Sequence, residues 1–262
     1  MTEESGEHIK SDPAAPAGFF EVEAAGLRWL EEAHRRHGGV PVATVHDVGP
    51  GRIALARLSR SRPTPRDAEE FGHRLAATHR AGAPHHGCPP AGWHDDGFIG
   101  PLRMPHHVGP ELLPWGRFYA DLRVAPFARA ATDSGTLSPR DAAAVDRVCE
   151  RLTAGDLSGP EPAVARLHGD LWSGNVVWTP SGAVLIDPAA HGGHRETDLA
   201  MLALFGLPYL ERVLAAYDEA WPLDDGWRER VPLHQLHPLL VHAVLFGGSY
   251  AVQAGAAARR CA

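Results

Sequence analysis

The chain begins with a pattern typical of one helix flanked by extended segments. Apolar residues recur at helical spacing from Phe19 to Arg36, and Gly38-Gly39 follows as a stop signal. A short strand is predicted before this helix, at Glu7 to Lys10. After it, the valines between residues 40 and 48 and the stretch from Arg52 to Leu58 predict two strands joined by a Gly-Pro-Gly turn.

Two further helices are predicted from a shared start signal. Thr64-Pro65-Arg66-Asp67 and Ser138-Pro139-Arg140-Asp141 each place a hydroxyl at the N-cap, proline at the first helical position and aspartate two residues later. The hydroxyl can satisfy free N–H groups, and the carboxylate suits the positive helix end. The helices are predicted to end near Arg80 and Leu152. Residues 82–116, dense in Gly, Pro and His, are predicted as long loops.

Short strands dominate the pattern between Val164 and Pro188. A strand at Val164 to Leu167 leads into His168-Gly169-Asp170, and residues 175–178 and 183–186 flank a Pro-Ser-Gly turn typical of a β-hairpin. Helices are predicted beyond it, at Asp198 to Phe205, Tyr209 to Ala220 and His237 to Arg260. Strands early and helices late favour a small α+β lobe on a larger helical lobe.

Composition narrows the possible functions. The 262 residues, 44% of them hydrophobic, suffice for one large domain or two lobes around a cleft. A net charge of −7 argues against a general nucleic-acid partner. Three separated cysteines without a C-x-x-C pair favour a reducing cytoplasm. We find no secretory signal and no apolar run of membrane length, so we expect a cytoplasmic protein with no membrane partner.

The candidate chemistry lies in two loops of the strand-rich segment. Asp170 and Asn175 share the loop after one strand, and Asp187 ends the hairpin. Phosphoryl transfer needs a carboxylate that takes or orients a hydroxyl proton, and oxygen ligands that hold Mg²⁺. We assign Asp170 as the catalytic base, and Asn175 and Asp187 as metal ligands.

These loops resemble a known family. His168-Gly169-Asp170 with Asn175 is similar to the catalytic loop of the protein-kinase-like fold, and Asp187-Pro188-Ala189 stands where kinases carry Asp-Phe-Gly. Longer strings resemble the fructosamine kinase (ketosamine-3-kinase) family, and the likeness extends from about Lys10 over nearly the whole chain. These strings are Leu167–Asn175, Ile186–Ala189, Gly193–Met201, Leu236–His242 and Phe246-Gly247-Gly248.

The resemblance implies a protein-kinase-like, two-lobed α+β fold. It assigns residues 1–60 to an N-terminal nucleotide-binding lobe and residues 61–262 to a larger, helical lobe with the catalytic and substrate-binding residues. It also implies ATP and Mg²⁺ as cofactors. Lys10 would bind the α- and β-phosphates, and Glu23, in the helix that begins Phe-Glu-Val-Glu-Ala, would pair with it.

One part of the family pattern is missing. The family carries two strands and a Gly-rich loop before the lysine, whereas no G-x-G-x-x-G precedes Lys10 here and no P-loop motif occurs elsewhere. A misassigned start, a truncated chain or a lost nucleotide lid would each explain this. The last alternative makes a catalytically silent kinase-fold binding protein a competing hypothesis.

Residues near the catalytic loop receive less specific assignments. Trp172 is expected either to form an apolar wall for the substrate or to pack the loop. His168 is expected to brace the loop through backbone hydrogen bonds. Asp198 is expected to cap a helix and tie it to the same loop.

The segment after Asp187 leaves more than one interpretation open. His191, His194 and Arg195 could line the substrate pocket, or Arg195 could form a structural ion pair with Glu196. The His191-x-x-His194 spacing also suggests zinc, but no third ligand stands out in the sequence.

The family resemblance implies a substrate as well as a reaction. We expect phosphorylation of the 3-hydroxyl of a small-molecule ketosamine, an amine-linked ketose, with glycated amines or proteins as further partners. The product would be labile, which links the family to removal of glycation. Another hydroxylated amine, such as an aminoglycoside or a choline-like compound, is the alternative substrate.

Overall fold

The N-terminal strands form one antiparallel sheet in the computed structural model, which describes residues 6–157 and 161–262. The strand order is β1-β3-β2, with β1 at Glu7–Ser11, β2 at Val45–Gly49 and β3 at Arg52–Ala56. The three predicted strands are confirmed. β2 is shorter than the valine pattern indicated, because the main chain of Pro41 and Ala43 bonds to Leu185 instead.

The helix α1, Phe19–His37, packs its apolar side under this sheet. Leu27 and Leu30 are fully buried there. A glycine in the left-handed conformation lies at each end of the helix, and the N–H of Gly38 closes the last turn. The predicted helix is confirmed, and it carries Glu23 on the side that faces β1.

Both predicted proline-led helices are present, α2 at Pro65–Arg80 and α5 at Pro139–Ala154. The hydroxyls of Thr64 and Ser138 accept hydrogen bonds from the N–H groups three residues later, as the start signal predicts.

The region predicted as loops between residues 82 and 116 contains regular structure. A hairpin forms from β4, Gly97–Ile99, and β5, Leu102–Met104. Next comes a helical stretch that the sequence did not indicate, made of α3 at Trp115–Phe118, a π-helical segment at Tyr119–Val124 and α4 at Ala125–Asp133. The loop prediction was wrong here because three-residue strands are too short to show an alternating pattern.

Two short antiparallel pairs frame the catalytic loops. The predicted strand before His168 is confirmed as β6, Ala165–Leu167, and it pairs with β9, His191–Gly193. The predicted hairpin is confirmed as β7, Val176–Thr179, and β8, Gly182–Leu185. The loop after β6 carries Asp170, and the segment after β8 carries Asp187.

The C-terminal part is helical, with two differences from prediction. α7 at Leu210–Ala220 matches the expected helix, and α6 at Glu196–Phe205 begins before its expected start. Asp198 therefore lies inside α6 and does not cap it, because the N-cap is Arg195. The single final segment expected from His237 to Arg260 is two helices, α8 at Trp227–Phe246 and α9 at Ser249–Cys261. Gly247 and Gly248 separate them, both at positive φ.

The interior consists of two apolar clusters. One joins the sheet, α1, α2, α7 and the β7–β8 hairpin, and the other joins α3, α4, α5, α8 and α9. Leu171 belongs to the first cluster and Ala189 to the second, so the two loops with the candidate chemistry run between them. The first cluster draws residues from both sides of residue 60, and the lobe boundary there stays a prediction.

Among the helices of residues 6–157 and 161–262, none combines the length and apolar character needed to cross a membrane.

Candidate active site

Lys10 bridges two carboxylates at the edge of the sheet. Its Nζ lies 2.7 Å from Glu23 Oε1 and 2.5 Å from Asp187 Oδ1. Lys10 comes from β1, Glu23 from α1 and Asp187 from the loop after β8, so the contact requires the folded chain. Burial opposes the charge on Lys10, but the two carboxylates outweigh that effect and hold the pKa of Lys10 above its ordinary value.

Asp187 adopts a backbone conformation that is rare for a residue with a side chain. Its φ is 56°, in the left-handed region. Such strain persists where the surrounding structure enforces it, and it is concentrated at functional sites. The conformation turns the Asp187 carboxylate toward Lys10 and leaves the side chain 41% exposed.

Asn175 holds Asp170 from the far end of the catalytic loop. Its amide nitrogen Nδ2 donates at 2.8 Å to both the main-chain oxygen and Oδ2 of Asp170. Because both donors point to Asp170, the amide oxygen Oδ1 of Asn175 faces the other way. Burial raises the pKa of Asp170 to about 7, and the negative charges of Asp187 and Asp198 act in the same direction against the Asn175 bond.

The Asp198 carboxylate holds the start of the catalytic loop at His168 and Gly169. Its carboxylate accepts hydrogen bonds from the main-chain N–H of His168 at 2.8 Å and of Gly169 at 3.0 Å. A third partner is His79, whose Nε2 lies 3.2 Å away. Burial alone would raise the pKa of Asp198, but the His79 contact and these donors bring it below its ordinary value.

His168 braces the loop rather than facing solvent. Its Nε2 donates to the main-chain oxygen of Ile186 at 2.9 Å, and its Nδ1 accepts from the N–H of Asp170 at 3.3 Å. One nitrogen donates and the other accepts, so the ring is neutral, and burial lowers the pKa of His168 accordingly. The imidazole thus links the Asp170 loop to the strand that precedes Asp187.

Two cavities meet at Lys10 and Asp187. The first, of about 250 Å³, lies beside β3 and has apolar walls that include Leu55, Val177 and Ile186. The second, of about 340 Å³, contains Asp170, Asn175 and Trp172 together with aromatic side chains from α1 and the β4–β5 hairpin. Lys10 and Asp187 line both cavities, so the two cavities adjoin at these two charged groups.

Several residues that line the second cavity or support the catalytic loop had not been indicated by the sequence. Phe19 and Phe98 contact each other at 5.2 Å between ring centroids and line the second cavity beside Trp172. His79 lies on α2 and reaches Asp198 from a distant part of the chain. A helical pattern predicts which side of α1 or α2 is buried, but it does not predict which loop that side will contact.

His191, His194 and Arg195 do not line the cavity of Asp170, although His191 lies beside Gly169. His191 is buried beside Arg123 and bonds through Nδ1 to the main-chain oxygen of Ala189. His194 and Arg195 line a separate cavity of about 480 Å³. Neither of the two cavities at Lys10 and Asp187 includes these three residues among its described lining.

The expected ion pair between Arg195 and Glu196 is not formed. Arg195 lies 4.2 Å above the Trp221 ring and donates to the main-chain oxygens of Trp221 and Pro222. Glu196 instead accepts two hydrogen bonds from Arg230, at 2.9 and 2.6 Å. Adjacent residues in the sequence therefore pair with different partners, because their side chains leave the chain in different directions.

The fold also changes which residues could be considered as zinc ligands. His194, Glu196 and His234, rather than His191, bring their ligand atoms within 4.8 Å of one another. The guanidinium of Arg230 already binds both oxygens of Glu196 and neutralises its charge. A second cation beside this guanidinium would be repelled, so the group is best described as a buried ion-pair network.

Comparisons with known proteins agree with this geometry. The sequence model of the family described as fructosamine kinase matches residues 2–261. The crystal structure of a "putative fructosamine-3-kinase" from Thermobifida fusca YX-ER1 superposes with a TM-score of 0.88 at 49% identity, covering 97% of this chain and 85% of that one. A "probable ketoamine kinase" from Thermus thermophilus is 34% identical over 92% of this chain and 82% of its own length.

A more distant likeness concerns the fold alone. The macrolide 2′-phosphotransferase from Brachybacterium faecium has a TM-score of 0.53 at 17% identity, covering 96% of this chain and 83% of that one. The protein-kinase-like fold expected from the catalytic loop is confirmed by these structures.

Proposed function

The chain belongs to the fructosamine kinase family, and on that premise we propose that it phosphorylates a sugar hydroxyl of a ketosamine, with Asp170 as the base. The predicted enzyme class, an ATP-dependent phosphotransferase, is confirmed by the family and its relatives. That assignment disfavours the catalytically silent alternative. The observation that carries our proposal is the junction of two cavities at Lys10 and Asp187, with Asp170 in one of them.

The nucleotide fits the cavity beside β3. Its apolar walls suit the faces of an adenine ring, and Lys10 lines both this cavity and the second one. A fixed ammonium group there would bind phosphate oxygens. Glu23 fixes the position of that ammonium at 2.7 Å. Lys10 and Glu23 are thus proposed as the nucleotide-binding pair.

Asn175 and Asp187 fit a magnesium ion. Asn175 presents an amide oxygen because its nitrogen is held by Asp170, and Asp187 presents a half-exposed carboxylate. Amide and carboxylate oxygens are ligands that Mg²⁺ accepts, usually beside water and phosphates. When bound, the ion would neutralise charge on the phosphates.

Asp170 would act on the substrate hydroxyl from the second cavity. Its side chain is fixed by Asn175 and its main chain by His168, so the carboxylate is held in one position. A hydroxyl hydrogen-bonded to it would be oriented toward the phosphates and would lose its proton to the carboxylate during transfer. Trp172 would form one apolar wall of the acceptor pocket.

Family membership supports a ketosamine substrate, and we propose its 3-hydroxyl as the position that is phosphorylated. Phosphate at that position would make the sugar labile, so the proposed role is removal of glycation adducts from small amines. Protein-bound adducts are included in the proposal, because Trp172 is 38% exposed at the cavity mouth and leaves room for a substituent to extend outward.

A substrate panel tests the proposal. Purified protein is incubated with radiolabelled ATP and Mg²⁺ together with a ketosamine, an aminoglycoside or choline, and the labelled product is measured. We expect product with the ketosamine, and a loss of about 10²–10⁴-fold in kcat for Asp170→Asn. Asp47→Asn, an exposed aspartate on β2, is the matched control and should retain activity. Product only with the aminoglycoside or choline would overturn the substrate assignment, and full activity of Asp170→Asn would overturn the base assignment.

A further inference from the structure

A strip of aromatic side chains extends toward the surface from the second cavity, which contains Asp170 and is called the acceptor cavity below. It consists of Trp172, Phe205, His242, Phe246 and Tyr250, which we call the aromatic strip. Its rings contact one another in sequence: Trp172 to Phe205 at 5.9 Å, Phe205 to His242 at 4.7 Å, and His242 to Phe246 at 5.6 Å between centroids. Tyr250 lies 5.0 Å from His242. The strip starts at a residue that also lines the Asp170 cavity.

The strip reaches solvent at Phe246 and Trp172, while Phe205, His242 and Tyr250 are half-buried. Phe246 is 67% exposed and Trp172 is 38% exposed. The other members come from the ends of α6 and α8 and the start of α9, where Gly247 and Gly248 turn the chain. A partly exposed aromatic surface that borders a cavity is typical of a binding site.

The strip is also uncharged. The Nδ1 of His242 donates to the main-chain oxygen of Pro238 at 2.8 Å, and burial lowers the pKa of this histidine, so its ring is neutral. Among the residues that the structure describes, the arginines that stack on aromatic rings contact Trp29, Phe118, Trp221 and Trp227. None of these four rings belongs to the aromatic strip. The exposed rings of Phe246 and Trp172 can therefore contact a cation from outside.

The chemistry of the proposed ketosamine substrate limits what can bind at the aromatic strip. A ketosamine carries its amine at one end of the sugar. With a ring hydroxyl at Asp170, the nitrogen and its substituent must leave the cavity through the mouth. A secondary ammonium flanked by an apolar group matches aromatic faces in both charge and hydrophobicity.

We propose that the aromatic strip is a subsite for the apolar substituent on the ketosamine nitrogen. It makes the enzyme selective for ketosamines of amines with aryl or alkyl groups. This inference rests on the proposed function and specifies its substrate class.

Kinetics with matched substrates test the subsite. The substrates are 1-amino-1-deoxyfructose and its N-benzyl derivative, with Mg²⁺ and saturating ATP. We expect the N-benzyl compound to have the lower KM by about tenfold. Phe246→Ala should raise KM for the N-benzyl compound by about tenfold relative to KM for the unsubstituted compound, with similar kcat values. Leu112→Ala, which removes an equally exposed apolar side chain outside the strip, is the control and should leave this ratio unchanged.

The outcomes separate the subsite from the proposed function. Equal KM values for the two compounds in the wild type, or the same change for both in Phe246→Ala, would overturn the subsite while leaving the kinase assignment intact. Phosphorylation of neither ketosamine would overturn the proposed function and the subsite with it. Concentration-dependent dimers in gel filtration that Phe246→Ala abolishes, with no change in the KM ratio, would identify the strip as a self-association surface instead.

Discussion

Lys10 Nζ lies 2.5 Å from Asp187 Oδ1, which joins the first strand of the chain to the loop after the hairpin. Glu23 shares the same ammonium group. A lysine held between two carboxylates cannot rotate freely, so the positive charge occupies one position at the junction of the two cavities. This position is suited to phosphates that cross from the nucleotide to the acceptor.

Replacement of Lys10 by methionine tests this relationship. Lys10→Met keeps the length of the side chain and removes its charge. Loss of one preorganised donor to a transferring group costs about 10²–10³-fold in rate. We expect kcat/KM for ATP to fall by that amount in a steady-state assay with Mg-ATP.

Arg52→Met, which removes an exposed cation from β3, is the control for Lys10→Met and should retain wild-type activity. Equal activity of the two variants would show that Lys10 does not act on phosphates.

The sequence predicted the positions of Asp170, Asn175 and Asp187 well, because the three lie in one short stretch whose strands and turns are local. Lys10 and Glu23 were indicated only by the family resemblance. The distance between them depends on how α1 packs against β1, which no local pattern encodes.

Closeness in sequence to Asp187 did not predict which later residues line the cavity of Asp170. His191 follows Asp187 closely and lies beside Gly169, yet its ring contacts Arg123 and the main chain of Ala189 instead of lining the cavity of Asp170. Conversely, Phe98 belongs to a three-residue strand in a Gly- and Pro-rich region, and its approach to Phe19 depends on tertiary packing. Contacts of this kind need the fold to be known first.

The support of the catalytic loop by Asp198 yields a stability prediction. Asp198→Asn replaces one acceptor oxygen with an N–H₂ group, and that group would face a main-chain N–H or His79. Loss of a buried, charge-assisted hydrogen bond with an unsatisfied donor left behind costs about 3–5 kcal/mol. We expect the free energy of unfolding in urea to fall by that amount, with activity reduced as the loop loosens.

Asp67→Asn is the control for Asp198→Asn, since Asp67 caps an exposed helix end and should cost only about 1 kcal/mol. Similar losses for the two variants would contradict a special role of Asp198.

Glu196 yields a prediction about pH. Burial alone would raise its pKa, but the nearby His234 ring and the hydrogen bonds from Arg230 outweigh burial and lower the pKa of Glu196 from 4.5 to about 2. A depressed carboxyl pKa stabilises the fold above the unfolded value, and this contribution is lost as the pH falls through the folded value. We expect the free energy of unfolding to decrease between about pH 5 and pH 2.

Denaturant unfolding of wild type and Glu196→Gln over that pH range measures the contribution of Glu196. The variant should be less stable at pH 6 and should show a shallower dependence on pH, so that the two curves converge near pH 2. Parallel curves would show that other carboxyls cause the acid sensitivity.

Gly169, between His168 and Asp170, is predicted to tolerate no side chain. Its φ is 82°, and a Cβ there would overlap the main-chain oxygen of Ala189. Gly92 has the same φ of 82° but has nothing within 4 Å of its Cβ position. Alanine at either position incurs the left-handed backbone cost of about 1–2 kcal/mol. Only Gly169→Ala also forces the Asp170 loop away from the segment after Asp187.

Thermal unfolding and ATP turnover of the two alanine variants separate these effects. Gly92→Ala should lower Tm slightly and keep kcat, because only local backbone strain is added. Gly169→Ala should lower Tm further and reduce kcat by about 10²-fold, because a displacement of about 1 Å at a catalytic group has that effect. Equal behaviour of the two variants would mean that the loop shifts without cost, and that the close contact with Ala189 does not hold Asp170 in place.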